Sequence, residues 1–169
     1  AMNELSNFAI KHNIPVTQTV MGYSTMTRDH SHYAGQIGGL GGKNTNSLAK
    51  KTDLAIAVGT KLADFTTGSW ANFENEKFKL VSINVSRFDA NKHLAQAVVG
   101  DAKVSLIELS KALGDWKVGD NWNEKSQREL KIWNEHIDKE SAPSNQEVPS
   151  YVQVIGAIYR NSEPTDIAV

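Results

Sequence analysis

The stretch Lys51–Gly68, KTDLAIAVGTKLADFTTG, constrains the fold more than any other part of the 169-residue chain. A polar segment ends at Lys50-Lys51. Leu54, Ala55, Ile56, Ala57 and Val58 then run apolar without a break, and Gly59 closes the run. Five successive apolar residues with no alternation predict a strand buried on both faces, in a parallel sheet covered by helices. A glycine at the carboxyl end of such a strand permits a sharp turn or a close approach by a ligand. Ligands of open α/β sheets bind beyond these carboxyl ends, so Gly59, Thr60, Lys61 and Asp64 form the first candidate site. A plain tight turn at Gly59 is the alternative.

The flanking sequence fits alternating helices and strands. Asn3–His12 predicts a helix with Leu5, Phe8 and Ala9 on one face, Asn13 a helix stop, and Ile14–Thr19 a strand. The chain thus opens on a helix with no strand before it, which is unusual for a βαβ protein. Val20–Asn46 carries Gly22, Gly35, Gly38, Gly39, Gly41 and Gly42 and predicts a long loop, followed by a short helix over Asn44–Lys50. Gly39-Leu40-Gly41-Gly42 ahead of that helix offers backbone N–H groups to a phosphate, but it is neither GxGxxG after a strand nor a Walker loop. His30-Ser31-His32 lacks a third ligand at metal-binding spacing, so no metal is assigned.

Phe78–Ser86 predicts the next strand, with apolar residues at alternate positions, and Arg87-Phe88-Asp89 follows its carboxyl end. Ala97-Val98-Val99 is a short strand that turns through Gly100-Asp101-Ala102 into a helix, Lys103–Leu113. Asp101 is placed to cap that helix, and Leu106, Leu109 and Leu113 form its buried face. Trp122, Leu130, Trp133 and Ile137 share one stripe of a long, charged helix, Asn121–Glu140. Ser141–Pro149 reads as a linker and Ser150–Asn161 as an amphipathic helix. Asp166-Ile167-Ala168-Val169 begins a strand.

Composition narrows the function classes. A chain 40% hydrophobic and 22% charged suits a globular domain with a real core. A net charge of −1 gives no reason to expect nucleic acid or an anionic membrane as partner. The absence of cysteine excludes disulfides, thiol catalysis and thiolate metal sites. No apolar run approaches the roughly 20 residues that span a bilayer, and no signal peptide is visible, so a soluble cytoplasmic protein is expected.

DLAIAVGTKLADFTTGS, LVSINVSRFDANKH and VVGDAKVSLIEL, in that order, resemble the central domain of thiamine-diphosphate-dependent enzymes. That superfamily carries ADL-x-x-x-x-GTR-x-x-D, then I-D-I-D, then a GDA turn at similar separations. INVSRFDA-x-K and DFTTGS are most similar to the trihydroxycyclohexane-dione hydrolases of myo-inositol breakdown. The resemblance implies an open, doubly wound, mostly parallel α/β sheet, Rossmann-like, missing its first strand. It implies a central domain over 1–140, a linker over 141–149, and the truncated start of a diphosphate-binding domain over 150–169. A sheet without its first strand is expected to expose an edge or to close it on another copy.

The same resemblance places thiamine diphosphate and Mg²⁺ in flanking domains. The catalytic glutamate lies upstream and a GDG…N motif downstream, and neither occurs here. No residue of this chain is therefore expected to be catalytic. The parent reaction it implies is hydrolysis of a carbon–carbon bond in a cyclic 1,2-dione, with the thiazolium cofactor as electron sink. Partners are then the flanking domains and a second subunit.

Relatives that retain a dinucleotide hold it at strand ends matching Gly59, Thr60, Lys61, Asp64, Asn84, Ser86, Gly100 and Asp101. Here the acids of I-D-I-D are Asn84 and Ser86, removing the carboxylate suited to a ribose hydroxyl pair. Lys61 stands for arginine and lacks its bidentate fork, and Tyr23 replaces a lysine common in the G-K-G turn. FAD or ADP is disfavoured on these departures. Two other readings stay open: an ADP- or FAD-binding domain of an acetolactate-synthase-like enzyme, and a purely structural domain.

Overall fold

The computed structural model describes residues 1–163, 165 and 166. The chain divides into two compact units, Ala1–Leu130 and Lys131–Val169. The first unit carries every described strand. Helix α1 (Met2–His12) leads into β1 (Val16–Gln18), a 3₁₀ turn at Val20–Gly22 and β2 (Tyr33–Gln36). Then come α2 (Lys43–Lys51), β3 (Leu54–Val58), α3 (Asp64–Thr67), β4 (Lys79–Asn84) and α4 (Arg87–Ala90). A 3₁₀ turn at Lys92–Leu94, β5 (Gln96–Val99) and α5 (Ala102–Leu113) follow, and α6 (Asp120–Ser141) runs from the first unit into the second.

All strand pairing is parallel. β1 pairs with β2, and β3, β4 and β5 form a separate sheet in that order. This is the α/β, parallel, helix-connected architecture expected from the alternation of elements. The strand that forms β2 lies within the stretch read as a glycine-rich loop. Its sequence, Tyr-Ala-Gly-Gln, has no apolar periodicity, and Gly35 sits at φ +95°. Tertiary bonds hold it instead: β1 pairs along it, and the fully buried Thr45 Oγ1 donates to Ala34 O at 2.7 Å.

A second expectation also changes. β3 was expected to be buried on both faces, yet only Ala57 is buried and Leu54 is 47% exposed. The reason is topological, because β3 has a neighbour on one side only.

Local signals set the helix ends. Asn13 adopts φ 54°, ψ 43°, and Ile14 N–H donates back to Ala9 O at 3.0 Å, ending α1 and aiming the chain into β1. Asp101 accepts from Val104 N–H at 3.0 Å and caps α5. On that helix Leu106 is fully buried while Leu109 and Leu113 are half-buried. Ala9, Met26, Tyr33 and Leu130 form one core cluster, with Val16 packed against it. Ile83 and Leu80 of β4 are buried in the second sheet; complete burial of a side chain such as Ile83 contributes about 1.5–3 kcal/mol.

The second unit holds the rest of α6 and helix α7 (Tyr151–Asn161). Ser150 and Gln153 cap α7 reciprocally, and Arg160 donates to Ser141 O at 2.9 Å. On the α6 stripe Leu130 is buried, Trp122 and Trp133 are half-buried, and Ile137 is exposed. Of the strand expected from Asp166, residues 167–169 lie outside the described residues.

Candidate functional site

Gly59, Thr60, Asn84, Ser86 and Gly100 come together at the carboxyl ends of β3, β4 and β5, and the buried Asn84 joins them. Its Nδ2 donates to Thr60 O at 3.2 Å, and its Oδ1 accepts from Ser86 N–H at 2.9 Å. Its backbone oxygen accepts from Gly100 N–H at 3.1 Å. Gly59, at φ +63°, donates its N–H to Ile83 O at 2.9 Å. Asn84 therefore ties three strand-end loops to one another, and its amide faces protein on both sides.

The other candidates are similarly engaged. Ser86 caps α4 by accepting from Asp89 N–H, and Asp101 caps α5. Asp64 opens α3 and accepts from Ser69 Oγ at 3.1 Å. Lys61 makes no ion pair among the described residues. Its charge adds to the main influence on Asp89, a 2.9 Å hydrogen bond from Lys92, which holds that carboxyl below the usual carboxylate range.

The glycine-rich turn beside these residues closes on itself. Gly38 N–H donates to Asn46 Oδ1, Gly39 N–H to Phe65 O, Gly41 N–H to Gly38 O and Gly42 N–H to Gln36 O, all at 2.9–3.1 Å. These four amides are already satisfied within the chain. Two hollows lie elsewhere, about 250 Å³ between α1 and α5 and about 200 Å³ beside Gln18 and Tyr33. Both fall below the roughly 300 Å³ at which small-molecule pockets begin.

Several residues at this end of the sheet carry no sequence signal. His93 stacks on Trp70 with ring centroids 4.2 Å apart, and its Nε2 lies 3.1 Å from Leu62 O. Leu62, Ser69, Trp70, His93 and Leu94 all adopt positive φ. Leu40, Phe65, Val85, Phe88 and Leu94 are exposed around the same loops. These pairings link residues more than twenty positions apart, so no local pattern announces them.

The histidines act as structural pegs. His30 Nδ1 accepts from His32 N–H, which leaves Nε2 to donate to Ser6 Oγ at 2.8 Å. His30 in this tautomer is not a base for Ser6. His32 lies 3.1 Å from Asn13 Oδ1, and burial, aided by neighbouring His30, pushes its pKa down. No group of three or more His, Cys, Asp or Glu able to hold a metal occurs among the described residues.

Comparison with known proteins decides the family. The family described as thiamine pyrophosphate enzyme, central domain, matches residues 1–109. The chain belongs to that family. A 3D-(3,5/4)-trihydroxycyclohexane-1,2-dione hydrolase of Clostridium perfringens (strain 13 / Type A) is 36% identical over 135 residues, 80% of this chain and 21% of the relative. The hydrolase 2 of that name from Bacillus cereus is 42% identical over 109 residues, 64% of this chain and 17% of the relative. A Bacillus anthracis hydrolase is 41% identical over the same length and shares. The chain thus spans about a fifth of the length of these relatives.

The thiamine pyrophosphate family implies thiamine diphosphate as cofactor, and the residues here do not fit it. The carboxylates of Asp64, Asp89 and Asp101 each serve their own loop, and no acidic cluster stands ready for a diphosphate-bound cation among the described residues. What this central domain offers is a set of strand ends bonded within the chain and edged by exposed apolar side chains.

Proposed function

We propose that this chain is the central domain of a thiamine-diphosphate-dependent hydrolase that opens a cyclic 1,2-dione, the trihydroxycyclohexane-dione of myo-inositol breakdown, in the cytoplasm. The observation that carries the reading is the 36% identity to the Clostridium hydrolase, which extends over 135 residues and so beyond the family match at residue 109. The domain's part is structural: it orders the strand-end loops and presents Leu40, Phe65, Val85, Phe88 and Leu94 to flanking domains or a second subunit. Thiamine diphosphate and Mg²⁺ belong to those flanking domains. The engagement of Asn84, Ser86 and Asp101 within the chain supports a role without ADP or FAD. No described helix is long and apolar enough to cross a membrane.

The test is turnover by the full-length polypeptide, supplied with thiamine diphosphate and Mg²⁺. Consumption of 3D-(3,5/4)-trihydroxycyclohexane-1,2-dione is expected, with none by residues 1–169 alone. Condensation of pyruvate by the full-length protein with the dione left intact would overturn the assignment, as would turnover by this chain alone.

A further inference from the structure

The hollow of about 200 Å³ differs from the strand ends in keeping polar groups that the chain leaves open. Gln18 at the end of β1 and Tyr33 at the start of β2 line it, and Tyr23, Ser24 and Arg28 of the intervening loop complete its wall. That loop is shaped by its own side chains. Thr19 Oγ1 accepts from Gly22 N–H at 3.0 Å, and Thr25 Oγ1 donates to Gly22 O at 2.6 Å. Ser24 is held at φ 67°, and left-handed residues other than glycine cluster where chains clamp ligands.

The hollow has a fixed floor and an open mouth. Tyr33 is buried in the core cluster, and its backbone oxygen accepts from Gln127 Nε2 at 2.8 Å. Gln18 is buried too. Its Nε2 donates to Met26 O at 2.7 Å, which fixes the amide, and no described residue donates to its Oε1. Tyr23 and Arg28 are exposed and stand at the mouth.

Charge decides what such a hollow suits. Arg28 is the one charged residue that lines it among the described residues, and there it makes no ion pair. The neighbouring acid, Asp29, is engaged otherwise: a hydrogen bond from the Thr27 hydroxyl, then one from the backbone, hold its carboxyl below the usual range. Burial pushes the Tyr33 hydroxyl's pKa up while nearby Arg28 pulls it down, so a neutral donor stands beside a guanidinium. A planar fork of N–H groups with a hydroxyl at its side matches a carboxylate. One cation suits a monoanion better than a phosphate dianion. Gln18 Oε1 is left to accept from a ligand hydroxyl, and the rings of Tyr23 and Tyr33 flank a short carbon skeleton.

We propose that this hollow binds a small hydroxylated carboxylate, the class of product that hydrolytic opening of a cyclic 1,2-dione releases. Cleavage between the two carbonyl carbons gives one of them the hydroxyl of water and the other its hydrogen. The neutral ring thus becomes a chain with a carboxylate at one end and an aldehyde at the other. Only the product carries the charge that Arg28 answers, so the site distinguishes product from substrate and makes turnover sensitive to accumulated product. The volume is too small for a nucleotide, and a six-carbon acid needs less room than the larger ligands of ordinary pockets. The product assignment rests on the hydrolase reading; the carboxylate site does not.

The test uses the full-length polypeptide with D-glucuronate as probe and D-glucose as its uncharged counterpart. Calorimetric titration should show saturable binding of glucuronate and none of glucose. Hydrogen exchange should slow across residues 19–33 with glucuronate alone. Arg28→Gln should weaken binding about tenfold or more, and Arg28→Lys, which keeps the charge and loses the fork, should fall between. Arg28 is exposed, so these variants are expected to fold, and the contrast of glucuronate with glucose on the wild type needs no variant. Equal binding of the two sugars, unchanged affinity in Arg28→Gln, or protection confined to other segments would overturn the site. A separate arm follows turnover of the dione as its ring-opened acid accumulates. Inhibition by that acid should be about fivefold weaker in Arg28→Gln, and equal inhibition would overturn the product assignment. Failure of the hydrolase reading would remove this last arm only.

Discussion

Replacing Asn84 by aspartate puts at this strand end the carboxylate that a ribose hydroxyl pair would need, and it separates a loop tie from a vacant ribose site. In the tie, Oδ1 accepts from Ser86 N–H at 2.9 Å and Nδ2 donates to Thr60 O at 3.2 Å, both in a buried position. Aspartate keeps the first bond and strengthens it by about 1 kcal/mol through its charge. It loses the second, worth about 1 kcal/mol, and leaves Thr60 O without its donor at a further cost of about 1–2 kcal/mol. The carboxylate is also partly desolvated and faces that carbonyl. The balance is a loss of about 2 kcal/mol at pH 7.5.

That loss has a definite pH signature. Once protonated, the introduced carboxyl can donate to Thr60 O, so folding raises its pKa above the unfolded value. The penalty is then absent below about pH 3.9, grows as pH rises, and is complete above the folded pKa. A 2 kcal/mol penalty corresponds to a folded pKa about 1.5 units higher. Urea titrations of wild type and Asn84→Asp at pH 7.5 and pH 4.5 test this. The variant's midpoint should fall by about 1 M at pH 7.5, with a slope near 2 kcal/mol/M, and the gap should narrow at pH 4.5. Equal midpoints at pH 7.5, or a gap independent of pH, would refute the tie. Unchanged stability with newly acquired binding of ADP would favour the ribose site.

Three further outcomes are expected. His12 is fully buried, with Nδ1 2.6 Å from Trp116 O and Nε2 2.9 Å from Ser110 Oγ. His12→Ala removes both bonds and leaves a void between α1 and α5, costing about 3 kcal/mol in urea unfolding. His32 is held below its ordinary pKa by burial and then by His30, so its neutral form favours the fold. Its contribution is complete above about pH 6.5 and is lost as pH falls through the folded value, and His32→Gln should flatten that part of the stability–pH curve. Gly38→Ala should cost about 3 kcal/mol or more, because φ is +111° and a Cβ would sit 2.8 Å from Phe65 O. Gly59→Ala, at φ +63° with open space around it, should cost about 1 kcal/mol, and thermal melts of the pair give the comparison.

What the sequence made legible was local. The apolar run Leu54–Val58, the stop at Asn13 and the cap at Asp101 each rest on residues within a few positions of one another, and each appears in the structure. β2 was hidden because Tyr33–Gln36 becomes a strand through β1 and Thr45, not through its own pattern. The strand-end rule did identify residues that meet, since Thr60, Ser86 and Gly100 are each hydrogen-bonded to Asn84, and Gly59 is bonded to Ile83 beside them. It did not reveal what they do there. The role of Asn84 depends on Thr60, 24 residues earlier, and the stack of His93 on Trp70 spans a similar distance.

A small-molecule site joins unsatisfied polar groups to enclosed apolar surface. The carboxyl ends of these strands reverse both conditions. The polar groups of Asn84, Ser86, Asp101 and the glycine-rich turn are bonded within the chain, while Val85, Phe88 and Leu94 are 74%, 76% and 102% exposed. Lys92 Nζ lies 4.7 Å over the Phe88 ring and pairs with Asp89, so this stretch is ordered although its apolar groups face water. Bonded strand ends with exposed apolar side chains fit a surface that meets protein better than one that holds a nucleotide. On that reasoning Leu94→Ser should change the stability of residues 1–169 by less than about 0.5 kcal/mol and still lower turnover by the full-length protein. Equal turnover by wild type and Leu94→Ser would remove Leu94 from the docking surface.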